Sequence, residues 1–173
     1  SGAASFKMGV GNSSNHTYQF TMNTQGTDRM TFHSSGNIHA GVDNTQSMGV
    51  SFLRWSEIFA GNGVINTSDE ALKTPLIDFT AKESAVAIKL KSLLKTFKWI
   101  DSVEREGSGG NKARIHVGIG AQSLGRAFTD EGLNPNDYAM FCYDEWKGIE
   151  GVKDGNRYGV RLDQVLAFIL ANT

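Results

Sequence analysis

The spacing of the apolar residues changes near residue 80 of this 173-residue chain, and this change constrains the fold more than any other feature. Before that point, apolar and polar residues alternate in short runs, at 6–10, 18–22, 29–33 and 37–42. Alternation between clusters of glycine, serine, asparagine and aspartate predicts strands joined by turns. Each run carries few apolar side chains, so a sheet made by one chain would bury too little to offset its ordering entropy. We therefore expect several copies of the chain to form it together.

After residue 80, apolar residues recur every three or four positions, with lysines and a glutamate between them. This spacing predicts an amphipathic helix of about six turns over residues 82–104, ending before a flexible glycine-rich loop at 106–111. Its apolar face would consist of Val86, Leu90, Leu93, Leu94, Phe97 and Ile100. The first part of the chain is thus predicted to be β-rich and the second part to be helical.

Shorter patterns complete the prediction on either side of this helix. Residues 51–60 include three aromatic side chains and are expected to form the last strand before the helical part. Trp55 and Phe59 are expected to lie in a core. Later segments follow the same rules of periodicity and turn composition. They predict a strand at 115–119, a short helix from Gln122, a turn at 134–137, an apolar strand at 138–143, a polar loop at 144–156 and a final helix at 164–171.

Composition narrows the range of functions. The formal charge of −1 provides no electrostatic reason to expect binding to nucleic acid or to an anionic membrane. No apolar run approaches the ~18 residues of a membrane helix. The single cysteine, Cys142, excludes an internal disulfide, and its apolar neighbours favour a buried structural thiol. The spacing of His16, His33 and His39 fits no zinc motif, so we expect neither a metal nor a cofactor.

The junction between the two parts, residues 64–75, contains Ser68 and Lys73. On a regular helix these side chains would point roughly 140° apart, so they can cooperate only across a turn. The polar residues at 66–69 have the composition of such a turn. A purely structural interpretation is also open: Ser68 could cap a helix, or Thr67 and Glu70 could form a capping box.

The wider sequence around this junction resembles a known family. The runs at 54–60 and 63–69, followed by Leu72 and Lys73, closely resemble the entry to the S74 peptidase family. Its members are C-terminal intramolecular chaperone domains of phage endosialidases, tail fibres, tailspikes and neck appendages. The resemblance covers roughly residues 46–171 and is most specific at 54–73.

Two later segments support the resemblance. His116, Gly118, Ala121 and Gln122 match the family's strand-to-helix pattern His-x-Gly-x-x-Ala-Gln, whereas Gly120 and the residues at 123–125 depart from it. Residues 158–170 resemble the family's closing helix.

The resemblance implies an α+β fold with two parts. Residues 1–63 would be the β-rich end of a fibre or tailspike stem whose strands pair between three chains. Residues 64–173 would be a mixed α/β chaperone and autoprotease domain with long amphipathic helices. The expected partners are two further copies of the chain and upstream fibre or tailspike domains of the same chain. Assembly would take place in the cytoplasm of the bacterial host and the mature location would be the virion, from which the released domain can be lost.

The resemblance also assigns roles at the junction. Ser68 would attack the carbonyl of Thr67, so that the Thr67–Ser68 bond is cut, and Lys73 would act as the general base. A serine needs such a base, and a free lysine with a pKa near 10.4 must be desolvated by about three units to serve as one. We expect the apolar cover to come from Leu72, Pro75, Leu76 and Ile77.

Three further residues are supporting candidates: Asp69, which could place a hydrogen bond near the developing oxyanion or orient the turn, His116 and Gln122. An ionised Asp69 cannot donate a hydrogen bond, so a backbone N–H is the expected donor to the oxyanion. The alternative function is a non-cleaving structural or receptor-binding tip of a trimeric tail fibre.

Overall fold

The computed structural model describes residues 5–10, 18–33, 35–106, 112–148 and 152–172. The chain divides into two compact units, of which the first ends at Ile58 and the second begins at Phe59. The functional boundary between a stem and a chaperone domain at residue 63 stays a prediction.

The first unit is a four-stranded antiparallel sheet in which neighbours along the chain are neighbours in space. Each of the four alternating runs overlaps one of its strands. The strands are β1 (Ser5–Val10), β2 (Tyr18–Thr24), β3 (Thr27–Phe32) and β4 (Ile38–Ala40).

A two-residue turn connects β2 to β3 and sets their register. Gln25 and Gly26 both have positive φ, 53° and 75°, between the paired residues Thr24 and Thr27. Two consecutive positive φ values match the right-handed twist of a hairpin, and glycine adopts them without steric cost.

Few side chains of this sheet are buried among the residues whose exposure is described. Among residues 21–33 and 35–58, the buried side chains are Thr21 and Thr31, whose hydroxyl oxygens lie 3.4 Å apart. Met22 and Phe32 remain exposed. The part of the first unit whose burial is described, residues 21–33 and 35–58, thus contains no buried apolar side chain, in line with the expected deficit.

The strand predicted at 51–60 is wrong. Val50 and Leu53 form an isolated bridge, and the backbone from there to residue 69 is neither helix nor strand. Trp55 and Phe59 are 65% and 92% exposed, so neither lies in a core. The apolar pattern is present, but in the described residues no neighbouring strand pairs with this segment.

The second unit is a mixed α/β domain, in whose described residues there are four helices and two small antiparallel sheets. Its helices are α1 (Ala81–Leu93), α2 (Ile100–Glu106), α3 (Ala121–Asp130) and α4 (Leu162–Leu170), and its strands are β5 (Lys95–Phe97), β6 (His116–Gly118), β7 (Phe141–Trp146) and β8 (Gly155–Val160). β5 pairs with β6, and β7 pairs with β8.

The core lies between α1, α3 and α4. Five side chains from these helices are fully buried: Val86, Leu90, Leu124, Phe128 and Val165. Each contributes roughly 1.5–3 kcal/mol by leaving water, so this cluster is the main source of the domain's stability. The spacing of Val86 and Leu90 thus predicted the buried face of α1 correctly.

The prediction of one long helix over 82–104 is wrong. Helix α1 ends at Leu93, and Leu94 has the extended dihedral angles φ −65° and ψ 121°. The chain then forms β5, which pairs with β6, and becomes helical again at Ile100. Pairing with a strand roughly twenty residues away overrides the local helical periodicity, which tertiary context commonly does. The predicted loop at 106–111 lies mostly outside the described residues.

The strand predicted at 138–143 is displaced, and so is the loop after it. Tyr138 instead ends a 3₁₀ turn at Pro135–Asp137, and β7 runs from Phe141 to Trp146. Strand β8 occupies 155–160, so the polar loop is shorter than the predicted 144–156. Cys142 is only half-buried, with its sulfur 3.8 Å from the carbonyl oxygen of Ala139. The prediction of a buried thiol is therefore wrong, because part of the Cys142 side chain is accessible to solvent.

A polar cluster secures the beginning of α1. The Thr80 hydroxyl accepts from the Glu83 backbone N–H at 3.2 Å, and the Glu83 carboxylate accepts from the Thr80 backbone N–H at 2.7 Å. The Tyr138 hydroxyl donates to the same carboxylate at 2.9 Å. The Thr80 hydrogen bonds lower the pKa of Glu83, and burial followed by the Glu83 contact raises the pKa of Tyr138 to about 12.

We expect this cluster to make stability depend on pH. The folded pKa of Glu83 is below its ordinary value, so its contribution is present above that value and is lost as the pH falls through the folded pKa. Glu83→Gln should lower the free energy of unfolding by about 1 kcal/mol at neutral pH. The difference from wild type should shrink between about pH 5 and pH 3. Urea unfolding of wild type and Glu83→Gln at both ends of this pH range measures the difference in unfolding free energy, with Glu104→Gln at an exposed position as the control. A difference that does not change with pH would contradict the role assigned to Glu83.

Candidate functional site

The junction folds into a tight turn that its own backbone and Asp69 define. Residues Glu70–Leu72 form one 3₁₀ turn, capped by Asp69, whose Oδ1 accepts from the Ala71 backbone N–H at 2.9 Å. The backbone N–H groups of Leu72 and Lys73 donate to the carbonyls of Asp69 and Glu70, at 3.2 and 3.1 Å. The chain therefore reverses its course between residues 68 and 73.

This reversal brings together the two side chains that the sequence singled out. The Nζ of Lys73 donates to the Oγ of Ser68 at 2.6 Å. Lys73 itself has extended backbone, with φ −117° and ψ 153°. The pair thus forms across a turn, the arrangement that the five-residue spacing requires.

The structural alternatives for this stretch are wrong. Asp69 caps the turn, in place of Ser68, and Thr67 and Glu70 form no capping box. The described capping box at the start of a helix is the one at Thr80 and Glu83. Because Ser68 is not needed as a cap, its hydroxyl is available to Lys73.

The surroundings of the pair are open to solvent in the single chain. Ser68 and Lys73 are exposed, as is every other residue from 53 to 82. Leu72, Leu76 and Ile77, which were expected to cover the lysine, are 77%, 76% and 89% exposed. The expectation of apolar cover from these residues is therefore wrong for one copy of the chain.

The remaining candidates lie in other elements. His116, in β6, stacks on Phe97 with ring centroids 5.5 Å apart, and Trp99 approaches both rings edge-on. Gln122 is an exposed residue in the first turn of α3. Neither makes a hydrogen bond to Ser68 or Lys73. Sequence reasoning missed the exposed aromatic cluster of Phe97, Trp99 and His116; the aromatic residues two apart at 97 and 99 were the available signal.

The described residues also bear on two other features, a metal site and a helix that could span a membrane. Within these residues, His, Cys, Asp and Glu side chains form no group of three or more that could hold a metal ion. In the same part of the chain, none of the helices combines the length and apolarity that crossing a membrane requires.

The comparisons with known proteins concern the same region. The family model described as the chaperone of endosialidase, of the S74 peptidase family, matches residues 68–133. A crystal structure described as a novel intramolecular chaperone is 31% identical in sequence, with a TM-score of 0.52, over 61% of this chain and 93% of that one. This chain belongs to the endosialidase chaperone family.

More distant relatives extend the likeness beyond the matched residues. The carboxy-terminal domain of the bacteriophage T5 L-shaped tail fibre, solved with its intramolecular chaperone domain, superimposes with a TM-score of 0.79 over 99% of this chain and 46% of that one. At 20% identity this likeness shows the fold. The mixed α/β architecture is therefore that of a chaperone domain of the family.

Curated relatives carry names from phage tails. The tail spike protein of Escherichia virus K5 is 28% identical over 95% of this chain, and the side tail fibre protein pb1 of Escherichia phage T5 is 26% identical over 78%. The chain spans 29% of the length of the first protein and 11% of the second.

Proposed function

We propose that this chain is the self-releasing chaperone part of a phage tailspike or tail fibre. It would hold copies of the chain together while an upstream stem folds and then cut its own backbone between Thr67 and Ser68. The observation that carries the proposal is the 2.6 Å contact between Lys73 Nζ and Ser68 Oγ in an exposed turn. The family match also begins at Ser68, which would be the first residue of the released domain.

The proposed reaction needs only water as a co-reactant. Ser68 Oγ attacks the carbonyl carbon of Thr67 while Lys73 takes the hydroxyl proton. The bond between the Thr67 carbonyl and the Ser68 nitrogen then breaks, the nitrogen receives a proton, and an ester joins Thr67 to Ser68 Oγ. Water hydrolyses this ester, giving a carboxylate on Thr67 and a free amine and hydroxyl on Ser68. Backbone N–H groups are the expected donors to the oxyanion.

Lysine chemistry links the reaction to assembly. A protonated lysine can donate to Ser68 but cannot take its proton, and removal from water favours the neutral amine. Lys73 is exposed in the single chain, together with the apolar residues on its C-terminal side. We propose that other copies of the chain cover this segment and thereby activate the lysine.

Exposed apolar surface supports a homotrimer. Val64 and Ile65 before the turn and Ile77 after it are each close to nine-tenths exposed. Leu166 and Leu170 on α4 are 42% and 73% exposed. Contiguous exposed apolar surface marks interaction sites. Three copies pairing along these surfaces and along the thin first-unit sheet would supply the missing burial.

Assembly before cleavage suits the folding problem of a fibre. Strand pairing between chains is non-local and slow, and it exposes strand edges on the way. A helical domain with a core of its own can form first and raise the effective concentration of the chains that it joins. The upstream domains, a location in the virion and assembly in the host cytoplasm belong to the same proposal.

The alternative is a non-cleaving structural or receptor-binding tip of a fibre. The observation that favours it is the exposure of Lys73 to solvent in the single chain. A denaturing gel of the purified chain distinguishes the two functions. Self-cleavage yields two fragments, residues 1–67 and 68–173, whereas a fibre tip yields one band.

We expect Ser68→Ala to abolish cleavage without unfolding the protein. The hydroxyl is the nucleophile, and its removal from an exposed position that caps no helix should change stability by less than about 0.5 kcal/mol. Mass spectrometry of the fragment ends and thermal unfolding check both statements. The exposed Ser56→Ala serves as the control that should be cut normally, and efficient cleavage of Ser68→Ala would refute the role of the hydroxyl.

We expect Lys73→Arg to block cleavage as completely as Lys73→Ala. Arginine keeps the positive charge but does not give up its proton in a protein. Gels of the expressed variants provide the measurement, and Lys91→Arg on the exposed face of α1 provides the control. Normal cleavage of Lys73→Arg would mean that position 73 supplies charge only and that the base lies elsewhere.

We expect Leu166→Asp to prevent both assembly and cleavage. Leu166 lies outside the core of its own chain, so a charge there should disrupt contacts between copies while α4 still packs through Val165, Phe168 and Ile169. Size-exclusion chromatography with light scattering, followed by a gel of each peak, tests this. Gln164→Asp places the same charge on a polar position of the same helix and should remain assembled and cut. Cleaved monomer in the absence of any trimer would contradict the dependence on assembly.

A further inference from the structure

We propose that Asp69 is a positioning residue for the self-cleavage reaction: its carboxylate holds the turn that returns Lys73 to Ser68. This inference rests on the proposed function of the same site. It assigns to Asp69 the role of a hydrogen-bond acceptor within the turn, and not that of an acid, a base or a source of negative charge.

The hydrogen bond to Asp69 stands out because the two backbone hydrogen bonds that close the turn are weak. A single 3₁₀ turn has poor hydrogen-bond geometry, and the two backbone bonds that close it, at 3.2 and 3.1 Å, lie at the long end of the usual range. The bond from Ala71 N–H to Asp69 Oδ1, at 2.9 Å, is the shortest of the three, and its acceptor is a carboxylate. Hydrogen bonds to charged groups are stronger than those between neutral groups.

Packing does not fix the turn in the single chain. Asp69, Glu70, Ala71 and Leu72 are all exposed, and the 3₁₀ turn contains no buried residue. Its shape therefore depends on local hydrogen bonds, and the cap at Asp69 is the one of them within residues 69–72 that has a charged acceptor. If the cap is removed, residues 69–72 can open and the distance between Ser68 and Lys73 is no longer set.

The described hydrogen bonds connect the Asp69 carboxylate with the turn and the Ser68 hydroxyl with Lys73. The partner of the carboxylate is a backbone N–H within the turn. Asparagine offers the same acceptor oxygen without the charge and caps as well as aspartate, whereas alanine offers none. The two substitutions therefore distinguish positioning by a hydrogen bond from an electrostatic effect.

The experiment compares Asp69→Asn, Asp69→Ala and Glu70→Ala in the full chain during cell-free synthesis. The cut fraction is followed over time at several pH values. We expect Asp69→Ala to slow cleavage by at least about tenfold at every pH, because small misplacements of reacting groups are costly. Asp69→Asn should stay within about twofold of wild type with the same pH profile, and Glu70→Ala, which removes the neighbouring carboxylate, should cleave normally.

Two outcomes of this comparison would overturn the inference. Cleavage of Asp69→Ala at the wild-type rate would mean that the cap is dispensable. An Asp69→Asn variant as slow as Asp69→Ala, or one with a displaced pH profile, would mean that the negative charge matters and the acceptor alone does not suffice.

A second readout judges the inference without relying on cleavage. In a Cys142→Ala background, Ser68→Cys places a thiol beside Lys73, and a nearby ammonium lowers a thiol's pKa. The pH of half-maximal labelling by iodoacetamide, read on the uncut peptide across positions 67 and 68, reports the proximity of the pair, with Lys73→Met as the reference for its loss.

In the Ser68→Cys, Cys142→Ala variant, adding Asp69→Ala should raise the pH of half-maximal labelling towards that of the Lys73→Met reference. Adding Asp69→Asn should leave this pH below that of the reference. Equal midpoints in the two variants would overturn the inference. If the wild-type chain is never cut, the proposed function fails, and this labelling comparison alone decides the role of Asp69.

Discussion

The exposed segment from residue 53 to residue 82 is the constraint on which the behaviour of this chain depends. It contains Trp55, Phe59, Ile65, Leu76 and Ile77, and none of their side chains is buried in the single chain. The buried cluster of α1, α3 and α4 includes none of these five residues, although Phe79 near the end of the segment packs edge-on against Phe168. The helical domain thus has a core of its own, whereas no buried residue surrounds Ser68 and Lys73 in the single chain. If other copies cover the segment, as proposed above, the surroundings of this pair are completed only on assembly.

Much of the fold could be predicted because local physics decides it. The alternating runs became β1 to β4, and Val86 and Leu90 marked the buried face of α1. The break after Leu93 could not be predicted, because apolar spacing continues through Phe97 and Ile100. What ends the helix is the pairing of Lys95–Phe97 with His116–Gly118, an interaction between residues distant in the chain. Periodicity carries no information about such a pairing, and the same limit applies to the aromatic cluster around His116.

The candidate site shows the same division between local and distant effects. The angle between positions 68 and 73 on a helix was enough to require a turn, and the structure contains one. The Thr-x-x-Glu pattern occurs twice, at 67–70 and at 80–83, yet it forms a capping box only at Thr80. At Thr80 an uninterrupted amphipathic helix follows, whereas Pro75 disfavours helical backbone at the residue before it. The capping residue Asp69 was recognised as a candidate, but its acceptor role needed the position of the Ala71 amide.

The extended backbone around the turn has a consequence for quality control in the cell. Apart from the 3₁₀ turn at Glu70–Leu72, residues 54–79 form neither helix nor strand, and all are exposed. Accessible backbone of this kind is what intracellular proteases nick most readily. A copy that fails to find companions would keep this segment open to degradation, whereas copies that cover it would be spared. Susceptibility to a trace of added protease would then report the fraction of orphan subunits, and the segment that is proposed to time self-cleavage would also mark failed assemblies for removal.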